Sequence, residues 1–254
     1  MLSIVIIGTG NVATHLFNTF LSYDTLNVLQ VVGRSEDSLA YFANKTKTSL
    51  ISNTIENADI YIIGVSDDAI AEISEKLKNQ KGLVVHTSGS LAMSILKPHQ
   101  NKGIFYPLQT FTKSKLVNFR AIPICIEATQ KKDLKTLYFL AETISNHVHE
   151  VSSEQRKHLH LAAVFVNNFS NYMYTLGNEI CEEHKVPFHI LKPLITETAE
   201  KINDITPLQA QTGPARRNDV ETMQRHLDQL TTKEQKNIYK LISESIQKKY
   251  GKEL

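Results

Sequence analysis

Cysteine is scarce in this sequence of 254 residues, which contains only Cys125 and Cys181. Cys125 falls in a predicted strand and Cys181 in a predicted helix, a distribution that favours reduced, buried thiols over a disulfide framework. Their spacing matches no metal-ligand pattern, so the sequence predicts no metal site.

Long apolar runs and clusters of basic residues are also missing. No stretch approaches the length that crosses a membrane, and the apolar start of the chain lacks the basic residues and cleavage site of a signal peptide. The net charge is only +2 and the basic residues are scattered, whereas proteins that bind nucleic acid or membrane surfaces concentrate them. We therefore expect a cytoplasmic protein with a small-molecule substrate, and neither nucleic acid nor membrane as a partner.

The chain has an ordinary globular composition, 41% hydrophobic and 21% charged, and a glycine turn near its start. An apolar run is followed by Gly8-Thr9-Gly10 and then by apolar residues at helical spacing, in the pattern GxGxxA. Gly8 permits a tight turn, Gly10 allows close approach of a pyrophosphate, and Ala13 lets the helix pack on its strand. The pattern predicts a dinucleotide site that includes Thr9, Asn11 and Val12. The alternative is a βα turn that merely needs glycine.

A second βα unit carries the residues that would select the cofactor. The β-rich segment from Asn27 to Val32 ends at Gly33-Arg34-Ser35, ahead of a predicted helix. In a doubly wound sheet an acidic residue at this tip binds the ribose hydroxyls of NAD, whereas Arg and Ser can hold the 2′-phosphate of NADP. Arg34 and Ser35 therefore favour NADP, although Arg34 could also be a surface charge beside the helix.

Further strands and helices alternate as far as Val151, which predicts a doubly wound α/β sheet. The strand ending at Val65 leads into Ser66 and Asp67. We expect Val65 and Ser66 to lie beside the nicotinamide ribose, and Asp67 to cap the next helix. The next strand ends in a hydroxyl-rich turn containing Ser88 and Gly89, which could bind an anionic substrate or the cofactor.

From Ser152 the pattern becomes wholly helical, which predicts two domains, 1–151 and 152–254. One long helix should run unbroken towards His184, with an apolar stripe in the helical core and a polar stripe facing water or a cleft. The apolar stripe consists of Leu159, Ala162, Val166, Phe169, Met173, Leu176 and Ile180. The polar stripe consists of Arg156, His160, Val164, Asn167, Asn171 and Tyr174. Three further helices are predicted over 187–204, with a bend at Pro193, 218–230, with a cap at Asn218, and 232–250.

Candidate proton donors lie on the first turns of the long helix. Reduction of a carbonyl or imine by a nicotinamide requires a proton for the heteroatom, and Lys157 and His160 are the candidates. A histidine on a helix is more often an ordinary polar residue, which is the alternative for His160. Arg216 and Arg217 stand at a predicted helix start, where cations are unfavourable. They could clamp a carboxylate or phosphate, or fix the loop by pairing with Asp219.

Five segments together resemble a family of bacterial Rossmann-like proteins with a C-terminal DUF2520 domain, often labelled as NADP oxidoreductases: GTGNVA, VVHTSGS, YPLQTF, RKHLHLAAVFVNN and TGPARRND. The resemblance covers nearly the whole chain. It implies a Rossmann NAD(P)-binding domain followed by an all-helical domain like the C-terminal one of 6-phosphogluconate dehydrogenase, which commonly builds a homodimer. It also implies that Ser88-Gly89 is similar to the substrate-side turn of β-hydroxyacid dehydrogenases.

The catalytic residues of those relatives are not reproduced. β-Hydroxyacid dehydrogenases place a lysine four residues before an asparagine, but Leu161 follows Lys157 at that spacing and Asn167 comes later. Tyr106 stands where prephenate dehydrogenases have a histidine. Our leading hypothesis is an NADP-dependent oxidoreductase for a small polar, anionic substrate in an interdomain cleft. His160 or Lys157 would supply the proton, while Ser88 and Asn167 orient the substrate.

Two alternatives stay open. The missing lysine-to-asparagine spacing favours a non-catalytic NADP-binding sensor or scaffold. An NAD enzyme of the prephenate type is the third reading, which Arg34 and Tyr106 disfavour.

Overall fold

The computed structural model describes residues 1–250, which form two compact units that divide at Asn167. The first unit contains an eight-stranded sheet with the order β3-β2-β1-β4-β5-β6-β7-β8. The strands are β1 (Leu2–Ile7), β2 (Leu26–Gly33), β3 (Lys47–Leu50), β4 (Ile60–Ile63), β5 (Leu83–His86), β6 (Lys102–Pro107), β7 (Ile124–Ala128) and β8 (Val148–Glu150). The first six strands in this order, β3-β2-β1-β4-β5-β6, are parallel to one another. Strand β7 is antiparallel to β6, and β8 is parallel to β7. The predicted α/β sheet is therefore confirmed.

Helices cover both faces of this sheet. They are α1 (Asn11–Phe20), α2 (Glu36–Ala43), α3 (Ile70–Lys76), α4 (Lys131–Ile144) and α5 (Ser153–Ala163). Along β1, Ile4 and Ile6 belong to one apolar core cluster, while Val5 and Ile7 belong to the other. Since alternate residues of a strand point to opposite faces, β1 is buried on both sides. Its carboxyl end lies where the strand order reverses, which is the usual ligand position in such sheets.

The second unit is helical, as predicted. A π-helical segment, Val164–Phe169, spans the division between the units. The helices that follow are α6 (Ser170–Glu183), α7 (Lys192–Glu200), α8 (Pro207–Ala210), α9 (Val220–Gln229) and α10 (Lys233–Tyr250), with 3₁₀ turns at Phe188–Leu191 and Lys201–Asn203. None of the helices described within residues 1–250 combines the length and the apolar character needed to cross a membrane.

The prediction of one regular helix with two uniform stripes is wrong. The π-helical segment interrupts the α-helix, and its wider turn shifts the faces that later residues occupy. Val166, assigned to the apolar core stripe, is 74% exposed, and Phe169 is also exposed. Arg156, assigned to the polar stripe, is completely buried. Spacing alone therefore misassigned the first part of this helix.

Three local predictions also require correction. Pro193 lies in the first turn of α7, where proline is tolerated, and so starts that helix after a 3₁₀ turn. Asn218 adopts a left-handed conformation (φ 53°), and α9 is instead capped by Asp219, whose Oδ1 accepts a hydrogen bond from Thr222 N (3.0 Å). Asp67 does not cap α3: the N-cap of the preceding 3₁₀ turn is Ser66, and the Asp67 carboxylate accepts a hydrogen bond from the Ser90 hydroxyl.

Candidate active site

Gly8 makes the sharp turn between β1 and α1. Its φ is +123°, in the region that favours glycine, and a Cβ would lie 2.3 Å from the Gly64 carbonyl oxygen. Gly8 N also donates a hydrogen bond to Val32 O (2.8 Å). Because β1 enters its turn in direct contact with the end of β4, no other residue fits at this position.

Gly10 has a different role. It is the N-cap of α1, with extended backbone (φ −75°, ψ −173°), and an added Cβ would meet no described atom within 4 Å. The requirement at Gly10 is therefore not internal packing. A bare backbone with free room before a helix N-terminus suits a phosphate group, which the helix dipole and N–H groups attract.

The glycine turn opens into a cavity of about 380 Å³ at the carboxyl ends of β1, β2, β4 and β5. All but one of the predicted cofactor residues line it: Gly8, Thr9, Gly10, Asn11, Val12, Arg34, Val65 and Ser66. The exception is Ser35, which caps α2 by accepting a hydrogen bond from Ser38 N (3.4 Å). Arg34 is exposed at the tip of β2, as a residue that selects between phosphorylated and plain ribose must be.

Arg34 also lies close enough to an acidic residue to affect its ionisation. Hydrogen bonds from the Ser66 hydroxyl and from backbone N–H groups lower the pKa of Asp68, and the Arg34 charge lowers it further. Asp68 and Arg34 are both exposed, so water screens this attraction and leaves the guanidinium available to an anionic ligand.

Ser88 holds the turn that follows β5. Its hydroxyl accepts hydrogen bonds from Ser90 N (3.2 Å) and Leu91 N (3.0 Å), and the side chain is buried. The neighbouring Thr87 reaches the cavity. The turn therefore reaches the cavity through Thr87, while the Ser88 side chain stabilises the backbone.

Arg156 is a buried anchor that sequence reasoning did not identify as important. Its Nη1 donates to Glu127 Oε2 (2.8 Å), its Nε to Ser88 O (3.2 Å), and its Nη2 to Leu91 O. It thus ties the first turn of α5 to β7 and to the turn after β5. The partners are 29 to 68 residues away in sequence, so no local pattern indicates this role.

His86 is a second buried group missed at the sequence level. It lies at the end of β5, and its Nδ1 accepts a hydrogen bond from Ser88 N (3.2 Å). Burial lowers the pKa of His86 to about 4, and the nearby positive charge of Arg156 acts in the same direction. His86 is therefore neutral at pH 7 and serves as an acceptor within the turn.

The structure brings His160 together with Gly89 and Tyr106. Tyr106 Oη lies 3.1 Å from His160 Nδ1, and the two rings meet edge to face with centroids 6.1 Å apart. A Cβ on Gly89 would lie 2.5 Å from His160 Nδ1 and 2.8 Å from Tyr106 Cζ. Burial raises the pKa of Tyr106 to about 12. This cluster starts two residues after Thr87, which borders the cofactor cavity.

The other predicted site residues are placed less favourably or lie in the second unit. Lys157 Nζ is 3.5 Å from Glu154 Oε2 on its own helix, and its side chain is 47% exposed. Asn167 is half-buried within the π-helical segment. In the second unit, Arg216 Nη1 donates to the carbonyl oxygens of Gln209 (3.3 Å) and Gln211. Arg216 thus fixes its own loop through backbone carbonyls.

Two family models match the sequence. Residues 3–89 match NADP oxidoreductase, coenzyme F420-dependent, and residues 122–246 match a domain of unknown function, DUF2520. No curated protein matches the chain.

Solved structures match over nearly the full length. A protein of Bacteroides fragilis, named as a proposed NADP oxidoreductase, is 39% identical with a TM-score of 0.90, over 97% of this chain and 98% of that one. A protein of Thermotoga maritima is 20% identical with a TM-score of 0.73, over 98% and 99%. An imine reductase of Myxococcus stipitatus, in complex with NADP⁺, is 12% identical with a TM-score of 0.69, over 96% and 91%. The latter two show the fold alone.

Proposed function

Since the chain belongs to the family in which an NADP oxidoreductase domain precedes a DUF2520 domain, we propose that it is an NADP-dependent oxidoreductase. The observation that carries the proposal is the cavity at the glycine turn, which Gly10 and Arg34 both line and where a Cβ on Gly10 would meet no described atom within 4 Å. In this proposal Gly10 gives room to the pyrophosphate and Arg34 binds at the ribose. When bound there, NADPH supplies a hydride to an electrophilic carbon. The chain's own residues must then bind the substrate and supply a proton.

His160 is the better candidate for the proton donor. It lies in the cluster next to the turn after β5, whereas Lys157 pairs with Glu154 and is half exposed. As the hydride reaches the carbon of a carbonyl or imine, the oxygen or nitrogen takes up a proton from His160, and solvent restores it. Oriented N–H donors of this kind stabilise the charge that develops on the heteroatom.

The substrate is proposed to be a small polar molecule. The turn after β5 and Asn167 on the π-helical segment are the candidates for orienting it. Because Ser88 Oγ is already bonded to backbone N–H groups, the proposed contact with substrate is better served by other groups of this turn than by that hydroxyl. That the substrate is anionic is the finer part of this proposal.

The cofactor is tested by fluorescence titration of the purified full chain with NADPH and NADH. We expect NADPH to bind at least about tenfold more tightly, the equivalent of one charged hydrogen-bonding contact. Arg34→Ala should reduce NADPH affinity to that of NADH. Arg120→Ala, which removes an exposed arginine outside the cavity, is the matched control and should change neither.

Gly10→Ala separates cofactor binding from folding. The new methyl group meets no atom of the described residues within 4 Å, so thermal stability should hold while the binding of NADPH and of NADH, which share the pyrophosphate, should both weaken. Equal affinity of the wild type for the two cofactors, or no binding of NADPH, would overturn the proposal.

A sensor or scaffold with the same cofactor site is the competing function. It predicts NADPH binding without turnover, whereas the oxidoreductase proposal predicts NADPH oxidation with some carbonyl or imine compound. A metabolite screen that follows NADPH absorbance distinguishes the two. His160→Gln should bind NADPH normally and lose most of the turnover of any substrate found.

A further inference from the structure

We propose that Tyr106 is a positioning residue that holds the proton of neutral His160 on Nε2, so that in the resting protein this nitrogen presents an N–H to the substrate. The inference rests on the proposed function, in which His160 is the proton donor. It concerns a residue that sequence reasoning treated only as a departure from the histidine of prephenate dehydrogenases.

The first step is the direction of the hydrogen bond between Tyr106 and His160. Tyr106 is buried, and within the described part of the chain its hydroxyl bonds only to His160 Nδ1. If Tyr106 accepted this bond, its own O–H would be left buried without an acceptor, at a cost of about 1–3 kcal/mol. The hydroxyl therefore donates and Nδ1 accepts.

The second step concerns the ionisation of Tyr106. Burial raises its pKa to about 12; Cys125 contributes in the same direction, and the positive charge of Arg156 opposes them. The phenol consequently keeps its hydrogen throughout the physiological range. A neutral imidazole whose Nδ1 accepts a hydrogen bond must carry its own hydrogen on Nε2.

The third step is steric and explains Gly89. Any side chain at this position would overlap His160 Nδ1 and Tyr106 Cζ, since a Cβ would lie under 3 Å from both atoms. Glycine thus admits the two rings to the turn after β5 and fixes the ring edge that faces it. Nδ1 is committed to Tyr106, and Nε2, at the opposite edge of the imidazole, is the nitrogen available to a ligand.

Proton transfer then has a defined course. In the imidazolium form the Tyr106 hydroxyl rotates and accepts from Nδ1–H, while Nε2 keeps its hydrogen. The Nε2 proton passes to the substrate heteroatom as hydride reaches the adjacent carbon, which leaves a transient neutral imidazole whose Nδ1–H is bonded to Tyr106 Oη. Tyr106 cannot take a second proton, so Nε2 is the nitrogen that reacts, and solvent reprotonates it.

The test is the tautomer of His160 in the full chain without cofactor. Two-bond ¹H–¹⁵N correlation spectra of the protein labelled in its 10 histidines are recorded above the titration range, and His160 is assigned as the signal lost in His160→Gln. We expect the Nε2–H form, with Nδ1 unprotonated. An Nδ1–H form in the wild type overturns the proposal without any variant being needed.

Variants of Tyr106 provide the second readout. Tyr106→Phe should raise the share of the Nδ1–H tautomer, and an unchanged tautomer ratio would contradict the proposal. The matched control is Tyr41→Phe, which removes a hydroxyl on α2 that donates to Asn18 Oδ1 on α1 (2.9 Å) and should leave His160 unaltered.

The kinetic readout separates this inference from the proposed function. With a substrate in hand, Tyr106→Phe should lower kcat about tenfold, the equivalent of one lost hydrogen bond, with the KM for NADPH unchanged. Failure of the wild type to bind NADPH would defeat the proposed function and leave the tautomer result intact. A normal kcat in Tyr106→Phe would defeat the inference and leave the oxidoreductase function intact.

Discussion

At the scale of the residue, His86 shows how burial sets the chemistry of the turn after β5. It is fully buried beside Arg156, and its Nδ1 must stay unprotonated to accept the hydrogen bond from Ser88 N. A charged imidazolium at this position would lose that bond and face a like charge without water. The turn that carries Gly89 therefore depends on a neutral histidine.

We predict a pH dependence of stability from His86. Its pKa is about 4 in the folded chain and about 6.5 when unfolded. Because the folded pKa is the lower one, the unfolded chain binds the proton first as the pH falls. The stabilisation is complete above about pH 6.5 and is lost between there and pH 4, with about 2 kcal/mol lost from pH 7 to pH 5.

Urea unfolding at pH 7 and pH 5 measures this loss. His86→Asn, whose amide oxygen can still accept from Ser88 N, should show a smaller loss than the wild type. His149→Asn replaces an exposed histidine and should behave as the wild type does. Equal pH dependence in all three proteins would contradict the prediction.

At the scale of the element, the sequence predicted most of the first unit because its strands and helices are marked locally. Buried parallel strands are continuous apolar runs, and glycine or polar residues mark the ends of β1, β2, β4 and β5. The GxGxxA turn, its strand and its helix were identified for the same reason, and Gly8 has the positive φ that its tight turn requires.

The interactions around α5 could not be predicted in this way. The burial of Arg156 depends on Glu127 and on the carbonyl oxygens of the turn after β5, which only the folded sheet brings near. The π-helical segment likewise changes the faces of the helix without a proline or glycine to mark it. The Tyr106–His160 bond joins residues 54 apart, so sequence reasoning identified His160 but not its partner.

Arg156→Met tests the anchor of α5. Removal of the guanidinium leaves the Glu127 carboxylate without its counter-charge, with the Ser153 hydroxyl as its remaining donor, and two carbonyl oxygens without a donor, so we expect a loss of about 3 kcal/mol in the free energy of unfolding. Addition of Glu127→Gln should recover part of the loss. Lys76→Met, which breaks an exposed pair with Glu72 on α3, should cost less than about 1 kcal/mol.

A loss in Arg156→Met as small as that in Lys76→Met would show that the buried network contributes little. The free energy of unfolding here reports on the anchoring of α5 and not on cofactor binding, since Arg156 lies outside the set of residues that line the cavity.

At the scale of the whole molecule, the second unit has large apolar side chains exposed on its surface. Several of its large aliphatic side chains are more than half exposed: Ile190, Leu194, Ile202 and Leu241. Exposed apolar side chains mark an interface where they form one contiguous patch. We propose that a second copy of the chain covers these side chains, which is the homodimer that the family resemblance implies.

Light scattering after size exclusion should therefore give twice the chain mass of 28.7 kDa at micromolar concentration. In a symmetric dimer one substitution enters the interface twice, so Leu194→Glu or Leu241→Glu should produce a folded monomer. Leu116→Glu is the matched control, because Leu116 is 90% exposed but belongs to the first unit, and it should leave the dimer intact. A wild type that stays monomeric across the concentration range would rule out the dimer. A dimer insensitive to both glutamates would place the subunit contact elsewhere.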